Sequence, residues 1–376
     1  MVRVRTVAAA LSQRFLRDLT ARQHVCLTGR AAAGIWALLR AWDFHDRDIL
    51  LPANTCYIVL WAVLKSGNRP LLVDIDPRTA NIDLSALRAV TQSSFPATII
   101  PCHMYGLAAP MSSICDWARS QDIKVIEDSA LAIGAMIEGQ PAGAWGDAAV
   151  FSFGLGKVID HQVGGAVVTN DSVLAREVDR LLSAAPIWDD RLLCLSNQWH
   201  GLYWPLHQYE MSTPQLLPLY QQLYELYGEI AVYRLSQDEW SELPALLRAL
   251  PENSARRAQQ VLAYDEVLLN GLTTYPITTL ERPQGSILWK YPLLVPPESR
   301  DELLTRLWDA GIHEATRWYP PLRPMARVLA PAVVQPEAPG ADTLGATIIN
   351  LPLGENVDEQ SLLKIGELVF QFFEGR

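Results

Sequence analysis

Residues 124–130, KVIEDSA, and residues 146–157, GDAAVFSFGLGK, decide how this chain is read. In each, a short apolar run gives way to polar groups. Runs without in/out alternation fit strands covered on both faces. Open parallel sheets bind ligands beyond the carboxyl ends of their strands. Glu127, Asp128 and Lys157 therefore fall where chemistry is done. A lysine desolvated in such a crevice holds its proton less tightly and becomes an amine nucleophile toward a carbonyl. A nearby carboxylate can hold a proton on an aromatic nitrogen, and an aldehyde cofactor built on a pyridinium ring needs both groups. A lysine just past a strand is more often a solvated surface residue, so the pair alone leaves both readings open.

Outward from this pair, buried runs read as strands at 49–53, 70–76, 97–105 and 164–170. Helical patterns lie between them at 31–42, 57–66, 84–91 and 110–122. Steps of about 25 residues between strands allow right-handed crossovers, so the expected fold class is α/β, a mostly parallel sheet with helices on both faces. Residues from 172 to about 257 read as helical. Within them lie Trp188, Trp199, Tyr203, Trp204, Tyr209, Tyr220, Tyr224, Tyr227 and Tyr233, with few charges. This excursion, about 186–233, either packs on its own domain or forms an interface, where Trp and Tyr concentrate. Strands at 287–295 and 346–351 and helices at 299–310 and 358–373 make a second α/β piece around a loop-rich stretch at 320–340. The expected division is a large domain, 1–255, and a small C-terminal domain, 256–376.

With 31 basic and 41 acidic residues the net charge is −10, which disfavours a general nucleic-acid binder. At 49% hydrophobic and 19% charged the chain is too apolar to be disordered. No run approaches the ~20 apolar residues of a membrane span. The N-terminal apolar run is too short for a secretion signal and is broken by Gln13 and Arg14. The five cysteines are scattered without a CxxC, so neither a disulfide framework nor a metal site is expected, and a cytoplasmic location is. GLGK lacks the spacing of a triphosphate-binding loop, and Val158 follows its lysine. In TGRA, 28–31, free amides at a helix start favour an anion, with Arg30 as a further contact; a plain cap by Thr28 explains the segment equally well. His161, on the loop at 158–163, either binds an anionic group or is solvated. Arg317 either grips a carboxylate or phosphate or makes an ion pair.

Taken in order, these segments resemble the DegT/StrS family of pyridoxal-phosphate (PLP) aminotransferases, of fold type I. The resemblance runs from about residue 27 to 373. It is carried by TGRAAAGIWALLRA (28–41), the βαβ stretch 49–83, IIPCHMYG (99–106), VIEDSALAIGA (125–135), GDAAVFSFGLGK and GGAVVTND (164–171). ATRWYPPL (315–322) and INLPLGENVDEQSL (349–362) resemble its C-terminal part.

The resemblance implies that Lys157 forms the Schiff base with PLP and shuttles the proton, and that Asp128 pairs with the pyridinium nitrogen. It places Ser152, Gly29, Arg30 and Ala31 around the phosphate, although the family usually has threonine at the position of Arg30. Cys56 stands where an aromatic residue usually covers the ring, with Tyr57 beside it. Ala130 and Leu131 lie near the ring, Leu131 where glutamine is common, and His103 falls near the cofactor, either as a structural histidine below it or in a catalytic role. Val232, in VYRLS, stands where an asparagine reaches into the partner subunit's site. Tyr319 joins His161 and Arg317 as a substrate contact. The implied activity is amino transfer from an amino acid, glutamate, to a keto or aldehyde small molecule such as a keto-sugar nucleotide or natural-product intermediate, in a homodimer. Elimination or dehydration on the same cofactor is the alternative, and a non-catalytic dimer partner a third, which the retention of Lys157 and Asp128 opposes.

Overall fold

Strands that read as unbroken apolar runs are buried on both faces, as β8 (Ala148–Ser152) and β9 (Gly165–Thr169) show most fully. The computed structural model describes residues 2–91, 94–206, 215–269 and 274–375. β1 (His24–Thr28), β2 (Asp48–Pro52), β3 (Arg69–Val73), β4 (Thr98–Ile99) and β5 (Lys124–Asp128) precede a small hairpin of β6 (Met136–Ile137) and β7 (Gln140–Pro141). β1–β5 join β8 and β9 in a seven-stranded sheet of order β1-β9-β8-β5-β4-β2-β3. β9 runs antiparallel to both neighbours, and the remaining pairs are parallel. β10 (Thr278–Thr279), β11 (Tyr291–Leu294) and β12 (Ile348–Leu351) form a second, antiparallel sheet with its own core.

The expected α/β architecture is thus present, with differences. The strand expected at 97–105 shrinks to Thr98–Ile99. Pro101 has no N–H to donate, and the chain then turns through Tyr105 (φ 58°) and Gly106 (φ 86°). The loop-rich stretch at 320–340 contains the helix Arg323–Leu329 and the start of Pro339–Thr347. One helix, Leu243–Leu269, serves both cores: Leu243, Leu247 and Leu250 pack on the large one, Tyr264 and Leu268 on the small one. The expected cut at 255/256 falls inside it. Among the described residues, no helix is long and apolar enough to cross a membrane.

The aromatic excursion packs on its own chain. Its helices are Asp190–Leu206 and Leu217–Ile230, and Trp199, Tyr203, Tyr220 and Tyr227 are buried. Their rings close on Tyr57 and Trp61 of the helix Tyr57–Lys65: Tyr203 lies 5.1 Å from Tyr57, and Trp199 and Tyr227 lie 5.9 and 5.2 Å from Trp61. Residues 207–214, Tyr209 among them, lie outside the described residues, and of Trp204 only the backbone is described.

Side chains alternate across a strand, and at the carboxyl end of β5 that alternation separates two carboxylates. Glu127 enters the protein interior on one face. There it accepts from His103 Nε2 (3.0 Å), the Gly143 amide (2.6 Å), the Trp145 amide (2.9 Å) and the Ser129 hydroxyl (3.1 Å). Burial pushes the Glu127 carboxyl up, but His103 and the two amides outweigh it and hold the group below its usual value. A depressed carboxyl stabilises the fold above the unfolded value of about 4.3, and the contribution is lost as pH falls through the folded value. Glu127→Gln is therefore expected to cost about 3 kcal/mol in urea unfolding at pH 7, because it leaves buried donors unmatched. It should also flatten the stability loss that the parent shows on acidification below about pH 4.3. An unchanged transition midpoint would contradict this account.

Candidate functional site

Asp128 points to the other face of the sheet. Its Oδ1 accepts from the Ala130 amide (3.0 Å) and its Oδ2 from the Cys102 thiol (3.4 Å), which also lies 3.0 Å from Thr55 Oγ1. Asp128 is 7% exposed, and among the described residues it has no ion-pair partner. Burial raises its pKa; the Ala130 amide and the Lys157 amine oppose that rise. Lys157 follows β8, the strand paired with β5. Burial lowers its pKa, countered by Cys56, Asp128 and Cys102. Its Nζ lies 5.8 Å from the centre of the Trp289 ring. Trp289 Nε1 donates to the Gly156 carbonyl (2.6 Å) and Asn253 Nδ2 to the Val158 carbonyl (2.7 Å), which pins the glycine-rich turn on both sides of the lysine.

Cys56 precedes the helix Tyr57–Lys65. Burial raises its thiol pKa, while Lys157, the Ile58 amide and the Tyr203 hydroxyl pull the other way. Tyr319 is buried beside Cys56, Tyr203, Tyr105 and Asp128, and its amide donates to the Tyr105 hydroxyl (3.0 Å).

Beside this group, three chain ends form a cradle. Arg30 bridges Gly164, and Ser152 pairs with Gly165. A Cβ on Gly165 would lie 2.6 Å from the Ala31 nitrogen, so only glycine permits the approach. Ala31 opens the helix Ala31–Ala41, whose first amides have no carbonyl four residues back to pair with. The half-buried Ser152 hydroxyl sits at the same place, 3.4 Å from the Gly154 amide.

Lys157 opens on a cleft of about 870 Å³ between the glycine-rich turn and the small domain. Arg257, Trp289, Lys290, Trp308, Arg317 and Trp318 are among its lining residues. Arg317 is 7% exposed and lies 3.4 Å from Asp301.

The profile of the DegT/DnrJ/EryC1/StrS aminotransferase family matches residues 9–193 and 232–370. The chain belongs to this family. It is similar to the dTDP-4-dehydro-2,3,6-trideoxy-D-glucose 4-aminotransferase of Saccharopolyspora spinosa, 27% identical over 351 residues, covering 92% of this chain and 83% of the relative. It is similar also to the UDP-N-acetyl-3-dehydro-alpha-D-glucosamine 3-aminotransferase of Acidithiobacillus ferrooxidans, 28% identical over 355 residues, 93% and 84% of the two chains. In fold it matches Helicobacter pylori PseC, an aminotransferase involved in the biosynthesis of pseudoaminic acid. The TM-score is 0.78 at 20% identity, over 98% of this chain and 92% of that one.

The expected DegT/StrS residues fall into two sets. Asp128, Lys157, Cys56 and Tyr319 converge, Ala130 holds Asp128, and Ala31 and Ser152 form the cradle. Leu131 is buried in the main core and brings no polar atom. His103 is a correction: it shares the opposite face with Glu127, and its Nδ1 accepts from the Ala109 amide (3.0 Å), so both ring nitrogens are committed away from Asp128. Tyr57 is another, its ring turned into the aromatic cluster. The Arg30 guanidinium stacks between Tyr227 (5.4 Å) and Tyr233 (5.2 Å), and only its backbone belongs to the cradle. Gly29 is required by Tyr233, whose carbonyl oxygen would meet a Cβ at 2.3 Å. His161 stacks on Trp240 (5.9 Å, 8°) with Nδ1 at the Val163 carbonyl, away from the cleft lining. Val232 packs against the main core.

Sequence reasoning missed Cys102, Trp289, Asn253, Tyr203 and Lys290. Cys102 was readable, because alternation after β4 puts it, and not His103, on the face of Asp128. The others come from distant segments and carried no local signal. Burial holds the Lys290 amine down at about 8. It is charged below that value and neutral above it. Binding of inorganic pyrophosphate in the cleft, measured by calorimetry, should weaken as pH rises through 8. In Lys290→Arg it should hold steady to pH 9, since guanidinium stays charged; superimposable profiles would contradict the assignment.

Proposed function

We propose that this chain is a PLP-dependent aminotransferase acting on a keto sugar carried by a nucleoside diphosphate, with glutamate as donor. The carrying observation is a buried carboxylate, Asp128, with no ion-pair partner among the described residues, at the end of β5, and a desolvated amine, Lys157, just past the neighbouring strand β8 and opening on the cleft. These residues fit the cofactor. Asp128 lacks the cation that a protonated pyridine nitrogen supplies, and the cradle of Ala31, Ser152 and Gly165 offers amides and a hydroxyl for a phosphate. Bound there, PLP supplies an electron sink for the carbanion left when a proton leaves substrate Cα.

The chain's own residues do the rest. Asp128 holds a proton on the ring nitrogen, and burial strengthens that interaction by excluding water. Lys157 is the residue that would hold the cofactor through Nζ, and its burial-lowered amine would take and return the proton at substrate Cα. Trp289 and Asn253 keep the turn that carries it fixed. Arg257, Lys290 and Arg317 provide charge for a diphosphate, and Trp289, Trp308 and Trp318 provide faces for a base. The substrate class is supported by the activities named for the Saccharopolyspora and Acidithiobacillus relatives. A homodimer is part of this reading.

The test is a pair of half reactions. PLP-loaded protein with glutamate and no acceptor should release about one 2-oxoglutarate per PLP bound, and adding a nucleoside-diphosphate keto sugar should make release catalytic. Asp128→Asn should bind PLP yet slow the first half reaction at least 100-fold. A donor that never yields 2-oxoglutarate, with PLP bound, would overturn the aminotransferase reading.

A further inference from the structure

The family profile ends at residue 193 and resumes at 232. The residues between form most of the helix Asp190–Leu206 and the helix Leu217–Ile230. Two of their side chains touch Cys56 and Arg30, two of the four positions at which this chain differs from the family pattern it resembles. The Tyr203 hydroxyl reaches the Cys56 sulfur and the Tyr57 hydroxyl. The Tyr227 ring lies on the Arg30 guanidinium at 5.4 Å, with Tyr233 at 5.2 Å.

Packing alone does not account for the Tyr203 hydroxyl. The ring is already stacked on Trp199 (4.3 Å, 25°) and set against Tyr57 (5.1 Å), contacts that phenylalanine would keep. Burying a hydroxyl is costly unless it is hydrogen-bonded. Here the Tyr203 hydroxyl is hydrogen-bonded to the Tyr57 hydroxyl and to Cys56, whose sulfur also accepts from the Ile58 amide. The sulfur so held lies within electrostatic reach of Lys157 and Asp128.

We propose that residues 194–206 and 215–231 back the cofactor pocket, with Tyr203 as the positioning residue for the Cys56 thiol. The proposal rests on the PLP reading of that pocket. This wall holds Cys56 near Lys157 and supplies one of the two groups on its sulfur, the other being the Ile58 amide. It links the cysteine to a segment outside the family profile.

The test is alkylation of Cys56 by iodoacetamide in cofactor-free protein, followed by mass spectrometry of the Cys56 peptide across pH. A thiolate that loses one donor is harder to form. Tyr203→Phe should displace the rate profile by about one unit to higher pH, an approximately tenfold slowing at a fixed pH below the midpoint. Tyr220→Phe is the control, since its ring also faces Tyr57 (6.1 Å) but its hydroxyl donates to the Leu206 carbonyl (2.8 Å); its profile should match the parent. Added PLP should protect Cys56 in the parent. A Tyr203→Phe profile that overlays the parent, or an equal shift in Tyr220→Phe, overturns the positioning role. A shift in Tyr203→Phe with no protection by PLP overturns the cofactor reading and leaves the Tyr203–Cys56 link standing.

Discussion

The structure turns on a buried carboxylate, Asp128, that has no ion-pair partner among the described residues. Asp128 is held by one amide and one thiol, and neither offsets the cost of keeping a charge out of water. Burial raises its pKa accordingly. Such a group persists where a cation arrives to share it, and in the proposed function that cation is a protonated ring nitrogen. The surrounding architecture serves this position: β4 brings Cys102, β8 leads to Lys157, and the helix Tyr57–Lys65 presents Cys56 at its start.

The alternation of side chains on β5 divides the labour. Glu127 and Asp128 are adjacent in sequence and opposite in function. Glu127 receives several donors and a histidine and fixes the back of the sheet. Asp128 is left short of positive charge. The same alternation sends Cys102 toward Asp128 and His103 toward Glu127.

Much of the fold was legible because doubly covered strands read as unbroken apolar runs, and the lysine was legible because a glycine-rich turn marks a strand's carboxyl end. Of its two readings His103 takes the structural one, because strand parity sends it to Glu127. Arg30 and Gly29 were taken for ligand-binding residues when Tyr227 and Tyr233, two hundred positions away in sequence, determine their surroundings. Trp289 and Lys290 could not be placed at the site, since a contact between the small domain and the glycine-rich turn leaves no periodic mark. The aromatic residues at 188–233 looked equally suited to an interface; the rings described here are instead spent inside their own chain.

Two lysines with burial-lowered pKa line the same cleft, Lys157 and Lys290, and the central claim assigns the aldehyde to the first. Borohydride reduction of the PLP-loaded protein, followed by peptide mapping, tests this directly. The account predicts one reduced pyridoxyl group per chain, on Lys157, with the loss of that label and of visible absorbance in Lys157→Ala. A label on Lys290, or one spread over surface lysines at equal yield, would contradict it.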